Sequence, residues 1–161
     1  MTDFGLRAAT VRDADAVADV WLRSRRAAVK EIPAHIHPDD EVRSWISSHV
    51  LLDLECWVAE RSDGEVVGLL ALGNDWLEQL YVLPDRQGRG VGSALIDLAK
   101  RLRPEGLQLW TFASNNPARI FYERRGFVRV EETDGAHNEE RARDMRYVYR
   151  PKIQGASQSS T

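Results

Sequence analysis

At 161 residues, with 43% hydrophobic and 29% charged residues, the chain has the length and composition of a single globular domain with a core of its own. Its net charge of −3 argues against general nucleic-acid binding, which shows itself as a basic excess. One cysteine, Cys56, cannot close an internal disulfide, and no leader or long apolar span is visible. A cytoplasmic setting is therefore expected, with no membrane or nucleic-acid partner, and a homodimer is left open.

In chain order, residues 6–9 read as a short first strand. Asp13 suits a helix N-cap, and Val17, Val20, Trp21, Ser24 and Ala28 then fall on one helical face. A second helix is expected to open at residues 37–41, with Pro38 at its first position and Asp39, Asp40 and Glu41 complementing the dipole. Val42, Trp45, Ile46 and Val50 make its apolar face. His35 and His37 beside these carboxylates raise a metal reading. The carboxylates already have a role at the helix start, and no third His or Cys follows at a useful spacing, so no metal is expected.

Residues 55–60 and 65–72 read as two strands joined by a turn at Ser62-Asp63-Gly64, and Gly73-Asn74-Asp75 makes the next turn. Residues 76–83 alternate as a strand. Trp76, Glu78, Leu80 and Val82 point one way; Leu77, Gln79, Tyr81 and Leu83 point the other. Pro84 stops the ladder for want of an N–H. A glycine-rich loop follows, then a helix carrying Val91, Leu95, Leu98 and Leu102 at helical spacing to residue 103.

A strand, a glycine loop and a helix start make an anion site. The first-turn N–H groups have no partners, the macrodipole adds positive charge, and glycines let backbone approach a phosphate closely. Arg86 and Arg89 add mobile positive charge. A P-loop is excluded because no Lys follows Gly92. A dinucleotide fingerprint fails because Ser93 stands at the last glycine position.

Beyond the helix, residues 107–112 alternate as a strand. Asn116 is read as the cap of the next helix, Pro117 sits in its first turn, and Gly126 can end it in the left-handed conformation. Residues 127–131 and 144–149 form a last strand pair with a polar loop, 133–143, between them. Residues 1–150 read as one domain, and the remainder, rich in Ser, Gln and Gly, as a disordered tail.

Two motifs carry a family resemblance. Gln87, Gly88, Arg89, Gly90, Val91 and Gly92 spell Q-x-x-G-x-G after an L-Y-V-x-P strand. Asn115 to Phe127 spells N-x-x-A-x-x-x-Y-x-x-x-G-F, one helix and one strand further on. The pair resembles motifs A and B of the GCN5-related N-acetyltransferase (GNAT) superfamily, over residues 66–149. The resemblance implies an α/β (α+β) fold. Its mixed, mostly antiparallel sheet would have six or seven strands flanked by about four helices, and would splay after the central strand.

The implied activity is acetyl transfer from acetyl-CoA, a cosubstrate, to an amine. By resemblance the cofactor meets Leu80, Tyr81 and Val82 along the strand. It meets Gln87, Gly88, Arg89, Gly90, Val91, Gly92 and Ser93 in the loop, and Asn115, Ala118 and Tyr122 in the second motif. Backbone groups of Leu80 and Val82 would pair with the pantetheine amides, the Leu80 amide lying near the thioester oxygen. Tyr122 would give a proton to the sulfur. An alkylammonium has a pKa around 10.4, so about one amine in a thousand or fewer is nucleophilic at neutral pH and a base is needed. Glu78, expected to be partly buried on the face of Leu80 and Val82, is the base candidate. A non-catalytic acyl-CoA-binding domain, or an acyltransferase for another acyl group, is the alternative. No acceptor signature is visible; the acceptor is expected against the first two helices, residues 31–38 and the last strand pair.

Overall fold

The computed structural model describes residues 3–151, so the expected tail from residue 152 onward lies outside the described residues. Seven strands form two antiparallel sheets. The first runs β1 (Phe4–Ala8), β2 (Glu55–Arg61), β3 (Val66–Leu72) and β4 (Leu77–Val82), in that spatial order. The second comprises β5 (Leu107–Phe112), β6 (Val128–Thr133) and β7 (Asp144–Tyr149), with β7 in the middle. A lone parallel bridge, Trp76 to Gln108, joins them at the start of β4, reinforced by the Gln108 N–H donating to the Asp75 carbonyl at 2.8 Å. Beyond that point β4 and β5 part. The splayed sheet expected from the resemblance is present.

α1 (Ala14–Ala27) and α3 (Val91–Leu102) cover opposite faces of the first sheet. β3 is buried along its whole length because it is covered on both sides. Trp21 of α1 donates to the Gln79 side chain at 3.2 Å and meets Tyr81 edge-on at 6.1 Å, which fixes α1 against the face of Gln79 and Tyr81. On the other face Gly68 lets α3 come close: a Cβ there would stand 2.9 Å from Val91 and 3.0 Å from Leu95. α2 (Asp39–Trp45) starts one residue later than expected, with Pro38 as its extended N-cap. It continues through a π-helical turn, Ile46–Val50, that the sequence reading does not contain. There the Ser48 hydroxyl takes the Ser44 carbonyl at 2.7 Å, which competes with the helical ladder. Val42, Ile46 and Val50 are buried as the pattern predicts.

Asp13 precedes α1, but its carboxylate does not cap the helix. It accepts from both terminal nitrogens of Arg7, each at 2.9 Å, and from the Thr10 N–H at 2.8 Å, tying β1 to the helix start. These bonds, that of Arg7 first, hold the Asp13 carboxyl below its ordinary pKa. A lowered folded-state pKa stabilises the protein above the unfolded value near 3.9, and that stability is lost as pH falls through the folded value. Asp13→Asn is therefore expected to lower unfolding free energy by about 1–3 kcal/mol at neutral pH. In urea melts the gap from wild type should narrow toward pH 3; a gap of equal size at both pH values would refute the pairing.

Candidate active site

The parting of β4 from β5 leaves backbone groups free. The Leu83 N–H donates to the Val67 carbonyl at 2.9 Å, so alternation turns the N–H and C=O of Leu80 and Val82 away from β3, into the opening. One of these groups is already used: the Val82 carbonyl accepts from Ser24 Oγ at 3.1 Å and Gln87 Nε2 at 3.2 Å. The N–H groups of Leu80 and Val82 and the Leu80 carbonyl remain as an exposed strand edge. The expected ladder is thus shorter by one acceptor. Ser24 is a polar residue at an apolar helical position, which was the one sequence signal for this contact.

A cleft of about 730 Å³ opens along this edge. Leu80, Tyr81 and Val82 form one wall; Asn115, Ala118 and Tyr122 form the other. Gln87, Gly88, Gly90, Gly92 and Ser93 close its end. Gly88 and Gly90 have φ of +78° and +89°, where a side chain would be strained, and a Cβ on either would meet nothing within 4 Å. Gly90 is the N-cap of α3, so the first N–H groups of a twelve-residue helix face the loop. Gly92 is small for another reason. A Cβ there would meet the Phe121 ring at 3.3 Å, on the helix that forms the facing wall.

Two expected loop residues do not line the cleft. Val91 turns into the core, and Arg89 is exposed outside it. Arg86 also departs from expectation: it turns toward Glu65, 3.7 Å away, because β3 begins beside it. The fixed positive charge at the loop is instead Arg125, missed in the sequence. It donates to Ser93 Oγ at 2.6 Å and to the Phe121 carbonyl at 2.9 Å, and lies 3.8 Å over the Phe121 ring.

α4 (Asn116–Glu123) carries the second motif. Its N-cap is Asn115, not Asn116: Asn115 Oδ1 accepts the Ala118 N–H at 3.3 Å, with Pro117 in the first turn. Gly126, at φ +88°, ends the turn that follows. Tyr122 is 7% exposed, its ring edge-on to Phe121 and Phe127. Its hydroxyl enters no hydrogen bond among the described residues. Burial, then the neighbouring Tyr81, raises its pKa, so the phenol stays protonated.

A second cavity of about 380 Å³ adjoins the cleft and shares Leu80, Tyr81, Asn115, Ala118 and Tyr122 with it. Glu78 lines this second cavity, not the cleft. Leu77 pairs with Leu72 and Gln79 with Ala71, so Glu78 is the extra residue of a β-bulge. The bulge breaks the expected alternation. Leu77, buried, joins the face of Leu80, and Glu78 is exposed where a partly buried carboxylate was expected. Trp110, Phe112, His137 and Asn138 complete the wall with Arg25, a buried arginine that no sequence signal singled out. Of the segments expected to meet the acceptor, the first helix contributes Arg25, the connection after it Ile32 and the last strand Asp144, while the second helix contributes no residue to this cavity. His37 of the α1–α2 connection bonds Glu139 of the β6–β7 loop at 2.9 Å, which raises the imidazole's pKa. Among the described residues no cluster of His, Cys, Asp or Glu suits a metal, and no helix is long and apolar enough to cross a membrane.

Residues 53–129 match the family model described as the acetyltransferase (GNAT) domain. Over 116 residues the chain is 28% identical to the peptidyl-lysine N-acetyltransferase YjaB of Salmonella typhimurium, covering 72% of this chain and 70% of that one. It is 26% identical to the peptidyl-lysine N-acetyltransferase YiaC of Escherichia coli, covering 78% and 84%. Among solved structures, apo YjaB from Escherichia coli superposes with a TM-score of 0.74 at 24% identity, over 91% of this chain and 97% of that one. PaiA N-acetyltransferase from Thermoplasma acidophilum, in complex with coenzyme A, gives 0.67 at 20% identity, over 92% and 99%. The splayed sheet, the two motifs and these likenesses converge: residues 53–129 match the acetyltransferase (GNAT) domain, and over most of its length the chain is similar to N-acetyltransferases of that kind.

Proposed function

We propose that residues 1–150 act as one catalytic domain, in a cytoplasmic setting, moving an acetyl group to the primary amine of a small molecule or peptide by direct attack on the thioester. The observation that carries the reading is the meeting of the cleft and the second cavity at Leu80, Asn115 and Tyr122. A long cofactor and a separate amine would meet there. Direct attack follows because the one thiol, Cys56, is buried, donates to the Val50 carbonyl and lines neither cavity.

Acetyl-CoA, when bound, supplies the acyl group as an activated thioester. The chain's own residues do the rest. Gln87, Gly88, Gly90, Gly92 and Ser93, at the start of α3, suit the diphosphate, with Arg125 holding Ser93 in place. The free edge of Leu80 and Val82 suits the amides of an extended arm. The Leu80 N–H is the donor for the carbonyl oxygen as it gains charge. Asn115 spends its Oδ1 on the helix cap and keeps its Nδ2 for a cofactor carbonyl. Tyr122 holds its proton at the sulfur. Glu78, exposed to water in the second cavity, takes the proton of the attacking amine through a water.

With acetyl-CoA and a panel of primary amines, including a lysine side chain because two relatives are named for peptidyl lysine, free thiol should appear in an amine-dependent way. Glu78→Gln should slow this mostly near neutral pH and recover at high pH, where the amine loses its own proton. Silence with every amine would overturn the enzyme reading, and a uniform loss across pH would move Glu78 from catalysis to binding.

A further inference from the structure

Arg25 is the only buried cation among the described residues, 8% exposed, and it lines the second cavity. Its donors are poorly used. Nη2 reaches the Pro33 carbonyl at 3.3 Å, while the Glu140 carboxylate stands 3.6 Å from Nη2, too far for a hydrogen bond. Nε is buried and has no hydrogen-bond partner among the described residues. The guanidinium lies 5.0 Å from the Trp21 ring and 5.9 Å from that of Phe112, which fixes its plane. The Nε–Nη2 edge of a guanidinium presents two parallel N–H groups that match a carboxylate; here Nη2 is shared between Pro33 and the distant Glu140, and Nε is unused.

The same cavity offers the opposite charge elsewhere. Glu78 is exposed and without an ion pair among the described residues. Asp144 is saturated: Thr133 donates to it, Asn138 donates at 3.1 Å, and His137 Nε2 stands at 3.1 Å. An exposed carboxylate and a buried guanidinium with an unused Nε–H, both lining one cavity of about 380 Å³, suit a molecule carrying both charges.

We propose that the acceptor is a small zwitterion, an amine whose own skeleton bears a carboxylate, with the carboxylate on the Nε–Nη2 edge of Arg25 and the amine toward Glu78. This rests on the acetyltransferase reading and narrows its acceptor.

The test compares matched pairs, the L-alanine, L-methionine and L-phenylalanine acids each against its own amide. Rates are taken with saturating acetyl-CoA, and calorimetry follows binding to protein saturated with coenzyme A. At least one acid should exceed its amide by about tenfold or more in kcat/KM and in affinity, as charge-assisted bonds imply. Arg25→Gln should bring that ratio toward one, and Arg25→Lys, which keeps the charge but not the fork, should fall between. An arginine that only braces the loops would weaken acid and amide alike and leave the ratio unchanged; that result refutes the assignment. Equal use of acids and amides by the unmutated protein, or a preference for the amides or for a lysine side chain, also refutes it and leaves the acetyltransferase reading standing. Arg25-dependent binding of an acid with no amine acetylated would overturn the acetyltransferase reading and the acceptor role with it, leaving Arg25 only as a carboxylate-binding group.

Discussion

Tyr122→Phe should melt close to the unmutated protein and bind acetyl-CoA nearly as well, yet lose at least about tenfold in turnover, a floor set below the ~100- to 10,000-fold that general acid catalysis contributes because water can partly replace the donor. The ring packs edge-on against Phe121 and Phe127, and phenylalanine keeps that packing. The hydroxyl makes no hydrogen bond among the described residues, so its removal should change stability by no more than about 1 kcal/mol. Burial raises the phenol's pKa, so the proton is present across the working pH range and an alkaline fall in the rate profile has to come from another group. A variant that melts far below the unmutated protein while turning over normally would make the hydroxyl structural. Unchanged melting with unchanged turnover would mean that thiolate departure needs no help from this side chain.

Gly90→Glu should weaken coenzyme A binding by at least about thirtyfold, ~2 kcal/mol, as read by calorimetry. The new carboxylate would sit at the N-cap of α3 and satisfy the N–H groups on which a diphosphate depends, while repelling its charge. Strain is a separate matter. At φ +89° any side chain is disfavoured by about 1 kcal/mol, so Gly90→Ala should show a comparable drop in melting temperature but keep far more affinity. Equal affinity losses in the two variants would trace the effect to backbone distortion and away from the anion site.

What could be read from the sequence was what is decided locally. The strands β5 and β7 fall where alternation put them, and Gly126 takes the left-handed conformation that its place after a helix implied. The bulge at Glu78 could not be read that way. Residues 76–83 alternate without a break, and only the register against β3 makes Glu78 the extra residue. Asn115 and Asn116 are both good caps; the choice fell to which side chain reaches the Ala118 N–H. Arg86 and Arg125 could each have served the glycine loop, and the start of β3 beside Glu65 drew Arg86 away. Arg25 meets Glu140 only because α1 and the β6–β7 loop close over the same cavity, a contact that neither segment encodes alone.

The parting of β4 from β5 places an unpaired strand edge in the middle of the protein. Such edges are templates for other chains, and outer strands are commonly guarded against this by charge, proline or brevity. This one is guarded by depth. Ala27 and Ala28 at the end of α1 and Pro117 with Phe121 of α4 stand as banks on either side. A strand from another protein brings neighbours with it and would strike those banks before reaching Leu80. A single thin chain of amides, with nothing attached at its flanks, passes between them. The walls thereby separate a ligand from an aggregation partner by width alone, before any side chain has read its chemistry.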